Sequence, residues 1–239
     1  MRLKVNLVTE KNSILDFNYQ YYLYSSICNL IKNIDMKYAS YLHDKKGFKF
    51  FTFSRLFVKN RKILKEGIEI LDGKLHFYLS SPSQEFIQKF VKALFENRTI
   101  RIKNLKCNID TVELIKTPNF KNKVLFKTLS PICLRTKKKI NGKIKDYEIL
   151  PDDELFKTNL IKNLIKKFEV YYNEKCKYKI NDINILSSKP KRIKIKDLYF
   201  RCAELVFEIE GDKELIKFGY ECGFGEKNSM GFGMVEKVK

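Results

Sequence analysis

The amino-acid sequence predicts an α+β protein of two tandem ferredoxin-like domains, and three observations carry the prediction. Segments of period-two alternation and of helical spacing follow one another as strand, helix, two strands, helix, strand, the βαββαβ unit. That order then recurs. Between the two runs lies "TPNFKNK" (117–123), polar, proline-containing and without periodicity, as a linker should be. The expected boundaries are 1–118 for an N-terminal domain and 122–239 for a C-terminal one.

Taken in order, residues 2–9 alternate as a strand, and 19–33 place Tyr21, Tyr24, Ile27, Cys28 and Ile31 at helical spacing. A short second helix is expected near 35–43, and "FKFFTFSRLFVK" (48–59) as an aromatic strand. "LDGK" (71–74) signals a hairpin turn, because Asp-Gly suits positive φ. "SPSQEFIQKFVKALFEN" predicts a helix capped by Ser81, with Pro82 in its first position and Phe86, Ile87, Phe90, Val91 and Leu94 on its inner face. Strand material fills 99–116. After the linker, 124–134 is extended, "KKKINGKIKDYE" is a hairpin turning at Asn141-Gly142, and "PDDELFKTNLIKNLIKKFEVYY" is an amphipathic helix. Strands near 177–186, 191–196 and 199–209, a helix in "GDKELIKFGYEC" and a strand in "GFGMVEKV" complete the second unit.

Composition narrows the function classes. With 44% hydrophobic and 13% aromatic residues the chain can fill a core, so disorder is excluded despite 32% charged residues. The 48 Lys and Arg against 28 Asp and Glu leave a net charge of +20, the balance of a protein that meets a polyanion, most commonly nucleic acid. "MRLKVNLVTE" lacks the apolar core of a signal peptide, and no run approaches the ~18 apolar residues of a membrane span. The six cysteines are scattered without a Cys-x-x-Cys pair, and His43 and His76 are the two histidines. That pattern suits reduced thiols in the cytoplasm and no metal.

Three stretches carry chemistry. "GYECGFGEKNSMGFGMVE" (219–236) concentrates five of the ten glycines, with two Gly-Phe-Gly copies. A helix precedes it and a strand follows, the reverse of nucleotide-cradling loops. Its glycines permit positive φ and close backbone approach, with Phe224 and Phe232 as core anchors and Lys227 beside them. "YASYLHDKKGFKFFTFSRL" (38–56) sets His43 six residues before Lys49. An imidazole that exchanges protons near neutrality beside a fixed cation suffices to cleave RNA through its own 2′-hydroxyl. "KGFKFFTF" (46–53) also matches, in part, the aromatic RNA-recognition strand. Basic runs occur in "RTKKKINGKIK" (135–145) and "SSKPKRIKIK" (187–196), the latter expected to place its charges on one strand face against a phosphate backbone.

Together, "YLHDKKGFKFFTFS", "TLSPICL" (128–134), "SKPKRIKIK" and above all "GYECGFGEKNSMGFGMV" resemble the CRISPR-associated protein six endoribonucleases of the repeat-associated mysterious protein superfamily, over nearly the whole chain. The resemblance implies tandem RRM-like domains and CRISPR repeat RNA as partner. It implies metal-independent, cofactor-free cutting that leaves a 5′-hydroxyl and a 2′,3′-cyclic phosphate or 3′-phosphate. His43 then matches the catalytic histidine and Lys49 its lysine. The family's usual tyrosine, fifteen residues before the histidine, is replaced by Cys28, with Tyr24 one turn earlier as a substitute. RNA contact is expected from Lys189, Lys191, Arg192, Lys194 and Lys196, and from Gly223, Gly225, Lys227, Asn228, Ser229, Gly231 and Gly233. The alternative is a non-catalytic RNA-binding subunit of a CRISPR effector complex. Effector subunits and a homodimer stand as further candidate partners, and a membrane does not.

Overall fold

The computed structural model describes residues 1–44, 47–140 and 142–238 and, of His43, Asp44 and Ile140, the backbone alone. Lys46 and Asn141, which entered the sequence expectations above, lie outside the described residues.

The first unit opens with β1 (Arg2–Val8), β2 (Ser13–Leu15), α1 (Gln20–Ile34) and α2 (Met36–Asp44). It continues with β3 (Thr52–Phe53), β4 (Arg61–Ile63), β5 (Ile68–Ile70) and β6 (Lys74–Ser80). It closes with α3 (Gln84–Asn97), β7 (Thr99–Ile102) and β8 (Leu105–Ile115). Its main sheet is antiparallel in the order β3-β6-β1-β8-β7. Alternation on β1 buries Leu3, Val5 and Leu7 on one face, where Leu23 and Ile27 of α1 and Phe86 and Phe90 of α3 complete the core. β2, β5 and β4 form a separate small sheet.

The second unit comprises β9 (Lys123–Thr128), β10 (Arg135–Ile140), β11 (Lys143–Glu148) and α4 (Leu155–Tyr172). β12 (Ile180–Ile195), β13 (Leu198–Gly211), α5 (Lys213–Cys222) and β14 (Val235–Lys237) follow. Its sheet runs β12-β13-β9-β14, so both units arrange their strands as second, third, first, fourth. This is the tandem ferredoxin-like fold. β10 and β11 stand apart as a basic two-stranded hairpin.

Several local expectations are corrected. Over 48–59, only Thr52–Phe53 is a strand, with one further bridge from Phe57 to His76. The extension is broken at Phe50, whose φ of 53° sends its ring into the second unit's core while Phe51 and Phe53 fill the first. The cap of α3 is Ser83, whose hydroxyl accepts from the Phe86 N–H at 3.2 Å. Ser81 instead donates to the Phe50 carbonyl at 2.7 Å. The Asp72-Gly73 turn joins strands of different sheets and so makes no hairpin. The two strands expected at 177–186 and 191–196 are one, running straight through Pro190. β12 is an edge strand, where a residue without an N–H costs no ladder bond.

Candidate active site

A cavity of about 670 Å³ opens between the units, with Tyr21, Tyr24, Cys28, Ala39 and Lys49 on one side and Lys196, Phe200 and Lys227 on the other. The periodicity of α1 explains the first wall. Leu23, Ile27, Leu30 and Ile31 point into the core, which leaves the neighbouring stripe of Tyr21, Tyr24 and Cys28 half-buried against the cavity. Lys49 arrives from the irregular segment beside Phe50. Its Nζ donates to the Tyr24 hydroxyl at 3.1 Å.

Burial raises the Tyr24 hydroxyl well above its ordinary range, and its neighbour Cys28 raises it further. Burial likewise pushes the Cys28 thiol up, against smaller lowering effects from its hydrogen bond with Tyr24 and from the charge of Lys49. Both groups are therefore neutral near pH 7. The positive charge comes from lysines. Lys196 occupies the β12–β13 turn with φ 53°, and its Nζ lies 4.7 Å from the centre of the Tyr21 ring. Lys227 Nζ sits 4.5 Å from the centre of the Phe200 ring. Asp197 is the carboxylate among the lining residues. His43 is in the last turn of α2, four residues beyond the cavity-lining Ala39, and its side chain lies outside the described residues.

The basic strand does not present one charged face. Arg192 and Lys194 stand over the Tyr199 ring, at 4.1 Å and 5.7 Å, whereas Lys191 turns the other way, 3.6 Å from Glu204. Lys189 is exposed further along the edge. Lys196 leaves the strand altogether and joins the cavity, because positive φ in the tight turn redirects it.

The glycine loop departs furthest from expectation. Gly223, Gly225, Gly231 and Gly233 are buried together with Phe224 and Phe232. The N–H groups of Gly223, Gly231 and Gly233 donate to Gly219, Asn228 and Pro131 carbonyls at 2.8–2.9 Å, so they do not face an RNA backbone. Gly231 has φ 81° and abuts the Phe53 ring, and a Cβ there would overlap it. Gln20 and Thr52 of the first unit also donate to the Gly231 and Phe232 carbonyls, at 3.0 and 2.9 Å. The loop thus joins the two units, and the glycines permit that close approach. Asn228 is spent internally as well, its Nδ2 donating to the Phe224 and Phe232 carbonyls at 3.0 Å each. Of the loop residues expected to contact RNA, Lys227 and Ser229 keep partial exposure.

One residue that holds this loop escaped sequence reasoning. Lys167 of α4 is 1% exposed. Its Nζ donates to the Gly223 carbonyl, to the Gly225 carbonyl at 3.1 Å and to Asn228 Oδ1 at 3.1 Å. Burial lowers its pKa. The signal was present, since Lys167 falls on the apolar stripe of Phe156, Leu160, Leu164 and Phe168.

Both halves of the chain match known proteins. Residues 14–113 match the family model of CRISPR-associated protein Cas6, N-terminal, and residues 115–237 that of CRISPR associated protein Cas6, C-terminal. The chain is 46% identical over 240 residues to CRISPR-associated endoribonuclease Cas6 1 of Methanocaldococcus jannaschii, covering 100% of this chain and 93% of that one. It is 36% identical to an endoribonuclease-like protein, Cas6nc, of Pyrococcus horikoshii, with 100% of both chains covered. A solved RAMP protein that binds different RNA substrates superposes with a TM-score of 0.91 at 36% identity, again over 100% of both chains. With two ferredoxin-like units, a lysine-lined cavity between them and family matches across both halves, the chain belongs to the Cas6 family.

Proposed function

We propose that the protein is a metal-independent endoribonuclease that binds CRISPR repeat RNA and cuts the precursor transcript into guide RNAs. The observation that carries this reading is the convergence of Lys49, Lys196 and Lys227 on one cavity, with the Tyr24 hydroxyl hydrogen-bonded to Lys49. A phosphodiester entering there meets three ammonium groups, which stabilise the extra negative charge of a phosphorane. The 2′-oxygen bonds to phosphorus, the bond from phosphorus to the 5′-oxygen breaks, and a cyclic phosphate and a 5′-hydroxyl result. In this scheme His43 takes the 2′-proton or supplies one to the leaving oxygen, a contribution of roughly 10²–10⁴-fold. Lys49 offsets charge, and Tyr24, oriented by Lys49, serves in place of the tyrosine that Cys28 replaces. Lys189, Lys191, Arg192, Lys194 and Lys227 supply backbone contacts.

The test incubates the protein with CRISPR repeat RNA and maps the cut site and end chemistry, with and without EDTA. One cut per repeat, EDTA-insensitive and ending in a 2′,3′-cyclic phosphate, is expected. A 2′-deoxy substitution at the cut must abolish it, and His43→Ala must abolish it while leaving RNA binding intact. Cys28, a neutral thiol where the family resemblance implies a hydroxyl, favours one second reading, an RNA-binding subunit that does not cut. Tight repeat binding without any cleavage would select that reading.

A further inference from the structure

A second cavity, of about 430 Å³, lies on the same side of β12 as the first, between the small sheet and the β12–β13 hairpin. Lys191 and Ile193 line it, and Ile195, two residues on, lines the cleavage cavity. Residues 191, 193 and 195 share one face of the strand, so the two cavities follow one another along it. Lys191 and Ile195 are separated by about 13 Å of strand. An RNA chain held at the first cavity and tracking β12 therefore passes the mouth of the second.

The walls of this cavity offer apolar faces that suit a nucleobase. Phe17, 46% exposed, and Ile63, 60% exposed, stand at its lining with Phe57 and Ile193, and large apolar side chains left open on so basic a protein match the flat face of an unstacked base. Its carboxylate is Glu204, set among the cations Arg55, Arg61 and Lys191 and the amide of Gln20. One carboxylate oxygen is bound by Arg55, and the other lies 3.6 Å from Lys191. Two cations hold this carboxylate in place, and a carboxylate has acceptor positions beyond those two. Those positions can accept from an exocyclic amino group, as carboxylates do from the cytosine amine. Arg61 lines the same cavity while donating to the Val58 carbonyl at 2.6 Å, and its remaining donors are suited to the sugar–phosphate of the inserted nucleotide.

We infer that this cavity is a base-recognition subsite: it takes one unstacked base of the substrate RNA, and Glu204 selects an amino-bearing base, cytosine above all, against uracil. The inference rests on the RNA-binding reading above and deepens it by naming what the protein reads. The test uses the full-length protein and repeat RNAs in which each nucleotide near the cut is replaced singly by uridine, with affinity and single-turnover cleavage measured for each. Wild type is expected to lose roughly tenfold in affinity at one position when uridine stands there. Glu204→Gln, whose amide can both donate and accept, is expected to erase that penalty and still cleave. Phe17→Ala, at an exposed position that threatens no core, is expected to weaken every RNA roughly tenfold while keeping the penalty. A wild type indifferent to uridine at every position overturns the subsite, as does a Glu204→Gln protein that keeps the full penalty. A wild type that binds no repeat RNA at all refutes the RNA reading instead, so the two failures are distinct.

Discussion

The glycine loop and the tip of the β12–β13 hairpin both border the cavity between the units, and both were expected to grip RNA, yet they are built on opposite principles. The hairpin tip is an exposed edge whose lysines and arginine rest on aromatic rings. The loop is core. Its backbone is hydrogen-bonded to both units and pinned from beneath by a buried ammonium. A conspicuous motif can therefore owe its glycines to packing between the units, while Lys227 within it and the charges of the hairpin tip keep the exposure that the proposed RNA contacts need.

The sharpest way to break this comparison is Lys167→Met. It leaves the Gly223 and Gly225 carbonyls and Asn228 Oδ1 without their donor, and should cost on the order of 3 kcal/mol or more in urea denaturation. RNA binding should recover wherever the variant remains folded. Gly231→Ala should cost about 2 kcal/mol, from the strained φ and the overlap with Phe53, again read as a lower urea midpoint. The double variant Arg192→Ala, Lys194→Ala should leave that midpoint unchanged. It should instead reduce the slope of log affinity against log salt by about 1 to 2. Unchanged salt dependence would mean the hairpin is no more a contact surface than the loop. Tyr24→Phe should have the smallest effect, about fivefold in single-turnover cleavage with binding untouched, the equivalent of roughly 1 kcal/mol for one lost hydrogen bond.

Much of the fold was legible because periodicity reports burial directly. The alternation of 2–8 and the spacing of Phe86, Ile87, Phe90 and Leu94 each found their core face. Failures came where tertiary context reversed a local rule. Pro190 read as a break between strands, but at a sheet edge it breaks nothing. Lys167 was passed over in an amphipathic helix, because a chain with 48 basic residues hides the one that is buried. Phe50 read as one more aromatic strand residue, although its positive φ ends the strand. Within the site, Lys49, Lys196 and Lys227 were each singled out from the sequence. Their meeting in one cavity was not, since it depends on how two units dock across about 150 residues of chain or more.

That docking gives Phe50 a consequence beyond local geometry. A side chain from the first unit completes the second unit's core, edge-on to Tyr171 at 5.0 Å between ring centres. Cut at the linker, the second unit would fold around a missing plug, and the pair should melt in one step and not two. Lys49 is the residue next to that plug. The cation proposed to face the scissile phosphate is thus anchored to both halves of the molecule at once, and neither half can shift without carrying it along.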